Sequence, residues 1–220
     1  MNPDQNIVLR GERELAERAG PLFAEASKAF VCAATDLNTW ALPGVREQIA
    51  ATRRTSAAWP SPCKLYTPRA LADEESERHL VELTALGARV RICQAPIPYE
   101  TIVIDDRVAI LAGPPTRGVR EYTVVRTPGV VAGVLSLYWA TWENSTDLAD
   151  YRRTRPPALS EQSREILRML AGGLKDERAA PRLGLSLRTY RRRVAEILTL
   201  LDADSRFQAG LRAHEFGLIN

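Results

Sequence analysis

The chain runs to 220 residues, 45% hydrophobic and 26% charged, a balance that excludes large-scale disorder and leaves room for a medium domain beside a small one. No stretch approaches the ~18 uncharged apolar residues of a membrane-spanning helix. The N-terminal segment also lacks the basic-then-apolar order of a signal peptide, so a cytoplasmic protein without a membrane partner is expected. The net charge of +3 hides a segregation: residues 1–150 carry 16 Lys+Arg against 19 Asp+Glu, net −3, and residues 151–220 carry 14 against 8, net +6. A small basic part joined to a larger acidic one is the electrostatic footprint of a nucleic-acid-binding module attached to something else.

In chain order, residues 10–29 read as a helix and 30–34, Phe-Val-Cys-Ala-Ala, as a buried strand. Residues 42–54 return to helical spacing through Val45, Ile49 and Thr52. A second short strand follows at 63–66, and a helix over about 76–86 ends at Gly87, a C-cap. Residues 88–93 alternate as a strand should. Strands at 101–105 and 108–111 flank a turn at Asp105-Asp106-Arg107, and 121–125 is one more strand. Residues 130–144 form an amphipathic helix carrying Val131, Val134, Leu135, Tyr138 and Trp142. Helices alternating with β-branched runs predict an α/β domain over 1–150. The three cysteines Cys32, Cys63 and Cys93 are widely spaced with no CxxC pair, so they read as small buried hydrophobes, with no disulfide, metal site or cofactor expected.

Residues 151–158 pack three arginines and two prolines without apolar periodicity and read as an extended linker. Beyond it, 159–220 predicts an all-α domain of four helices. Ser160 stands in N-cap position before Ile166, Leu167 and Leu170, and Gly172-Gly173 stops that helix. A short helix over 175–183 leads to a turn at Gly184, and Ser186 caps a third helix reaching about Leu201. Tyr190, Val194, Ile197, Leu198 and Leu201 form its apolar stripe. Off that stripe lie Arg188, Arg191 and Arg192, with Arg193 at the edge. Guanidinium groups grip phosphate and guanine edges bidentately, and a helix N-terminus attracts phosphate through its free N–H groups. Helix, tight turn and capped basic helix is the order of a helix-turn-helix. The last segment offers Leu211, Phe216, Leu218 and Ile219 for a fourth helix and a subunit contact.

These residues resemble the LuxR family of helix-turn-helix domains. The family's run appears as Leu159-Ser160, Glu165-Ile166-Leu167, Gly173, Ala179-Ala180, Leu183-Gly184-Leu185-Ser186-Leu187-Arg188-Thr189-Tyr190, Leu201-Asp202 and Ser205-Arg206-Phe207-Gln208-Ala209. The resemblance implies double-stranded DNA as partner and places base contacts on Arg191, Arg192 and Ala195. Arg188 and Thr189 fall nearer the backbone, with Ser186 at the helix start and Arg193 beside it. The chain departs from the family at Pro181, inside the second helix, at Tyr190, where a small β-branched residue is usual, and at Asp202, where glycine is usual. A homodimer is expected, since helix-turn-helix proteins engage two half-sites about one helical turn apart.

Residues 86–93 and 97–111 resemble the second half of a phospholipase D-like module, whose strand carries histidine-x-lysine and, after four intervening residues, aspartate. Aligned on Asp105, the lysine position is Glu100 and the histidine position is Pro98. Proline has no nucleophilic atom and glutamate repels the phosphate that lysine attracts, so no catalytic residue is expected. The chain resembles actinobacterial regulators that join such a degenerate module to a LuxR-type domain. That resemblance implies a mixed sheet flanked by helices, serving a small-molecule ligand or dimerisation. Two alternatives come from other classes. A phosphoacceptor domain would use Asp36, but the acidic pair and late lysine that phosphotransfer needs are not evident. A phosphodiesterase-like enzyme lacks a nucleophile, base and orienting group at readable spacing, with His79 and His214 far apart.

Overall fold

Two strands with every residue buried or nearly so, β2 (Phe30–Ala34) and β5 (Glu100–Ile104), lie side by side in the middle of the sheet. Buried on both faces, they read as continuous apolar runs instead of alternating ones. The architecture is that of a computed structural model, in which the structure describes residues 6–40 and 61–219. The helix expected over 42–54 lies outside the described residues.

By their internal contacts the described residues divide into two units, one joining Met1–Ala70 with Thr84–Leu148 and the other joining Leu71–Leu83 with Ala149–Asn220. The first unit holds a sheet that, among the described residues, has eight strands in the order β1-β7-β6-β5-β2-β3-β4-β8. Besides the central pair these are β1 (Ile7–Arg10), β3 (Cys63–Tyr66), β4 (Arg89–Ile92), β6 (Val108–Ala112), β7 (Glu121–Val125) and β8 (Thr146–Asp147). The sheet is mixed: β2, β3 and β4 run parallel, and the remaining pairings are antiparallel. Helix α1 (Gly11–Ala24) packs its Phe23 ring 6.3 Å from that of Phe30. Helix α3 (Pro128–Glu143) packs Val131, Tyr138 and Trp142 with Val31, Ala33, Leu65 and Val103. Successive strand residues point to opposite faces, so these two helices cover opposite sides of the sheet. The Tyr138 hydroxyl donates to the Cys63 carbonyl at 2.8 Å, and the Arg89 and Arg91 guanidinium groups lie 5.3 and 5.5 Å from the Trp142 ring centre. All three cysteines are buried, and burial pushes the Cys32 thiol up to about 11.

Residues 7–10, where helix was expected to begin at 10, form an edge strand paired with β7. Four residues of period-two pattern are too short to signal themselves without the partner that pairs with them. The two-residue β8 escaped for the same reason.

The turn between β5 and β6 carries a fixed charge. Asp105 and Asp106 both take positive φ, 53° and 57°, and Arg107 N–H closes the turn on the Ile104 carbonyl at 3.1 Å. This is the primed geometry that matches strand twist. The Asp105 carboxylate, 1% exposed, accepts the backbone N–H groups of Ser27, Lys28 and Ala29 at 2.7–3.2 Å and an ion pair from Arg107. Those donors outweigh the cost of burying the charge and hold the carboxyl at about 2.

The second unit is helical: α2 (Glu74–Ala85, through Leu83), α4 (Leu148–Arg153, from Ala149), α5 (Glu161–Ala171), α6 (Asp176–Arg182), α7 (Leu187–Leu200) and α8 (Arg206–Glu215). Its core gathers Ile166, Leu167, Ala179, Ala180, Tyr190, Val194, Ile197, Leu200, Leu201, Ala209 and Ala213. The apolar stripe of α7 runs through Leu200, with Leu198 only partly buried. The stretch expected to be an extended linker is helical as far as Arg153 and fastened along its length. Glu77, 1% exposed, accepts Arg152 Nε at 2.9 Å, Arg155 Nη2 at 2.7 Å and the Ala158 N–H at 3.1 Å. One turn earlier, Glu74 accepts the Ser160 N–H at 2.7 Å and the Ser163 hydroxyl at 2.9 Å. Neither glutamate shows a role in the sequence, because an acidic residue in a first helical turn is ordinarily a solvated one.

Asp105 has a folded carboxyl lowered from 3.8 to about 2, so its contribution is complete above the unfolded value and lost as pH falls between about 4 and 2. The shift amounts to about 2 kcal/mol at neutral pH. Asp105→Asn should lower stability by roughly that amount at pH 7 in urea melts. The gap between variant and parent should close near pH 2, and a gap that persists there would refute the assignment.

Candidate nucleic-acid interface

The segment from α6 through α7 is built around two helix starts. Lys175 precedes α6, which opens on Asp176 and Glu177, acids suited to a helix N-terminus. The helix is only seven residues long and contains Pro181 in its last turn, where the missing N–H removes one i→i−4 hydrogen bond from an already short helix. Gly184, with φ of 65°, reverses the chain. Ser186 then caps α7, its Oγ accepting the Thr189 N–H at 3.1 Å. Its oxygen also shares a hydrogen bond with the Thr189 hydroxyl at 2.8 Å. At the far end Asp202 takes φ of 51°, the left-handed conformation in which glycine is usual.

The residues singled out from the sequence fall into two groups. Ser186, Arg188 and Ala195 are exposed, and Arg188 makes no ion pair among the described residues. Arg191, Arg192 and Arg193 are helical and outward of the core, but each is already engaged. Arg191 donates to Asp176 at 3.2 Å and Glu177 at 3.1 Å. Arg192 and Arg193 both donate to Glu196, each at 3.0 Å. Arg193 is the more buried, 32% exposed against 63% for Arg192. Thr189 is half-buried, its hydroxyl committed to the cap. Lys175, Arg178 and Arg182 of the preceding segment are exposed and without an ion pair among the described residues. Sequence reading missed these three, because they lie on the helix before the arginine-rich one.

Asp176 organises this face. Its carboxylate is 8% exposed and takes Arg206 in a bidentate grip, at 2.6 and 2.9 Å, besides the contact from Arg191. Hydrogen bonds from Arg206, opposed by burial and reinforced by Arg191, hold its carboxyl below the usual range. Both helices are thereby tied to the first turn of α8. Arg206 carries no role legible in the sequence, and only the fold supplies its partner. Tyr190 fills the core beneath, 0% exposed.

In the first unit, Glu100 is buried. It accepts the Thr35 N–H at 2.9 Å and Arg120 Nη1 at 3.3 Å, so the position aligned with a phosphate-clamping lysine is a carboxylate already paired. Asp105 is committed to the turn described above. Asp36, the alternative phosphoacceptor, accepts the Asn38 N–H at 2.8 Å in the loop after β2.

No protein-family model matches the chain. Over 142 residues it is 30% identical to the bialaphos biosynthetic pathway regulatory protein of Streptomyces hygroscopicus, covering 64% of this chain and 55% of that protein. The chain thus spans about half the length of the curated relative it matches. In fold it is similar to Nuc, a phospholipase D family member from Salmonella typhimurium, with a TM-score of 0.50 and 13% identity over 65% of this chain and 98% of that one. It is equally similar to NucT from Helicobacter pylori, with a TM-score of 0.50 and 10% identity over 65% and 98%. At such identities the likeness is of fold alone: a mixed sheet flanked by helices in the manner of the phospholipase D-like proteins. Among the described residues no helix is long and apolar enough to cross a membrane.

Asp176→Asn should weaken the second unit by about 2 kcal/mol, since it leaves Arg206 and Arg191 without the charge that pairs them. The loss should show as a lower urea midpoint and should shrink as pH drops below the ordinary aspartate range, where the parent carboxyl is protonated too.

Proposed function

We propose that the chain is a DNA-binding transcription regulator in which α6, the turn at Gly184 and α7 act as a LuxR-type helix-turn-helix. In this reading α7 enters the major groove of double-stranded DNA. Arg191, Arg192 and Ala195 face base edges, while Ser186, Arg188, Thr189 and Arg193 serve the backbone side. The observation that carries the reading is the capped, cationic edge of α7 standing clear of its apolar stripe, with Lys175, Arg178, Arg182 and Arg188 exposed on the same stretch of chain. The regulatory name of the Streptomyces relative and the net charge of +6 on residues 151–220 support it.

The sheet unit is then non-catalytic, a ligand-binding or dimerising partner to the helices. Its fold is shared with phospholipase D family proteins, but Pro98 offers no nucleophile and Glu100 is occupied by Arg120 and the Thr35 N–H. The protein would act in the cytoplasm as a homodimer on two half-sites.

Phosphate contacts from Lys175, Arg178, Arg182 and Arg188 alone correspond to a salt slope of about −3.6, hence an affinity loss of about a hundredfold between roughly 50 and 200 mM salt. Fluorescence anisotropy with a mixed-sequence duplex should show it. Arg188→Ala should reduce the slope by about 1 and weaken all sequences alike, whereas Arg191→Ala should cost about 1–3 kcal/mol and relax selectivity among genomic fragments. Affinity indifferent to salt and to both substitutions would end the regulator reading.

A further inference from the structure

Glu196 on α7 receives three guanidinium groups. Arg192 donates to its Oε1 at 3.0 Å, and Arg193 to its Oε2 at 3.0 Å. The third is Arg78 of α2, whose Nη1 reaches the same Oε2 at 3.2 Å. The contact lies within the second unit, and both groups are well covered, with side chains 24% and 17% exposed. Arg78 also lies 4.0 Å from Glu82, but that carboxylate is 62% exposed and holds it weakly. The charge of Arg78 is therefore directed chiefly at Glu196.

A carboxylate beside a recognition helix competes with DNA. It presents the same charge sign and the same bidentate geometry to arginine as a phosphate does. A single negative charge shared among three cations leaves each of them incompletely satisfied. With Arg78 withdrawn, Oε2 would belong to Arg193 alone, and the local charge would fall by one.

We propose that Arg78 is a positioning residue for DNA binding: by occupying Oε2 of Glu196 it loosens the hold of that carboxylate on Arg192 and Arg193 and keeps those guanidinium groups available to phosphate. The proposal rests on the DNA-binding reading and deepens it. It makes α2 a regulator of the cationic face, because whatever displaces Arg78 from Glu196 lowers affinity without touching DNA.

The test is a double-mutant cycle on the full chain, read as affinity for a fluorescein-labelled mixed-sequence duplex of about 30 base pairs, enough for two half-sites, at about 150 mM salt, where distant charge is screened. Arg78→Gln should weaken binding by about three- to tenfold, and Glu196→Gln should tighten it. In the Glu196→Gln background, Arg78→Gln should change affinity less than about twofold. Arg78→Lys, which keeps the charge, should bind as the parent does and guards against a folding defect in the glutamine variant. An equal loss in both backgrounds would show that Arg78 meets DNA directly and would overturn the proposal. No loss from Arg78→Gln would overturn it as well, while leaving the regulator reading intact. A parent chain that binds no duplex even at about 50 mM salt would remove both.

Discussion

The helical unit depends on a buried carboxylate, that of Glu77. Almost wholly withdrawn from water, it is matched by two guanidinium groups and a backbone N–H drawn from the end of α4 and the stretch that joins it to α5. Burying a charge is unfavourable unless it is paired and hydrogen-bonded, and a broken buried pair leaves a cost far larger than the pair's own net gain. The arrangement therefore acts less as glue than as a specification. The path of the chain from Arg152 to Ala158 brings all three donors to it. Arg152, held there, donates from Nη2 to the Leu200 and Thr199 carbonyls at 2.7 and 3.2 Å, closing the C-terminal end of α7 with a cation where the helix dipole favours one. The orientation of α7 is fixed at one end by Arg152 and at the other by the Ser186 cap.

Charge counting and charge placement give different pictures of the same surface. The excess of arginine after residue 150 is visible in the sequence, and so is its concentration on α7. The pairing is not. Arg191 is half-spoken for by Asp176 and Glu177, Arg192 and Arg193 share Glu196, and Arg206 faces inward to Asp176. Among the described residues, the cations of this stretch without such pairing are Lys175, Arg178 and Arg182, at and along the shorter helix, and Arg188 in the first turn of α7. Paired arginines are not lost to a ligand, but each must exchange one carboxylate for another anion, and such an exchange depends on shape as well as charge. Unpaired ones respond to any phosphate.

What was legible beforehand follows the range of the interactions involved. The strands at 30–34, 63–66, 108–112 and 121–125 and the helices α3, α5 and α7 announced themselves through local periodicity and caps, and Ser160 and Ser186 accept the N–H groups of Ser163 and Thr189 as their positions suggested. The edge strand at 7–10 did not, since it takes its identity from β7, more than a hundred residues away. Glu74, Glu77, Glu196 and Asp176 were unreadable for a similar reason. Each is one more acid on a helix until the fold sets opposite it a partner remote in sequence. Proline and arginine in 151–158 suggested a loose connection because composition reports what a segment prefers alone, not what two buried glutamates impose on it.

The division of the chain is interleaved: the helical unit takes residues 71–83 out of the middle of the stretch that otherwise builds the sheet. Modules strung end to end can be exchanged by recombination at a single junction, each arriving with its interior complete. Here a graft that begins at the prolines would import Ser160 and Ser163 without the Glu74 carboxylate that receives them, and the part left behind would keep that carboxylate without its donors. Inheritance of the two parts is thereby coupled, and relatives should vary in concert on either side of the junction or not at all.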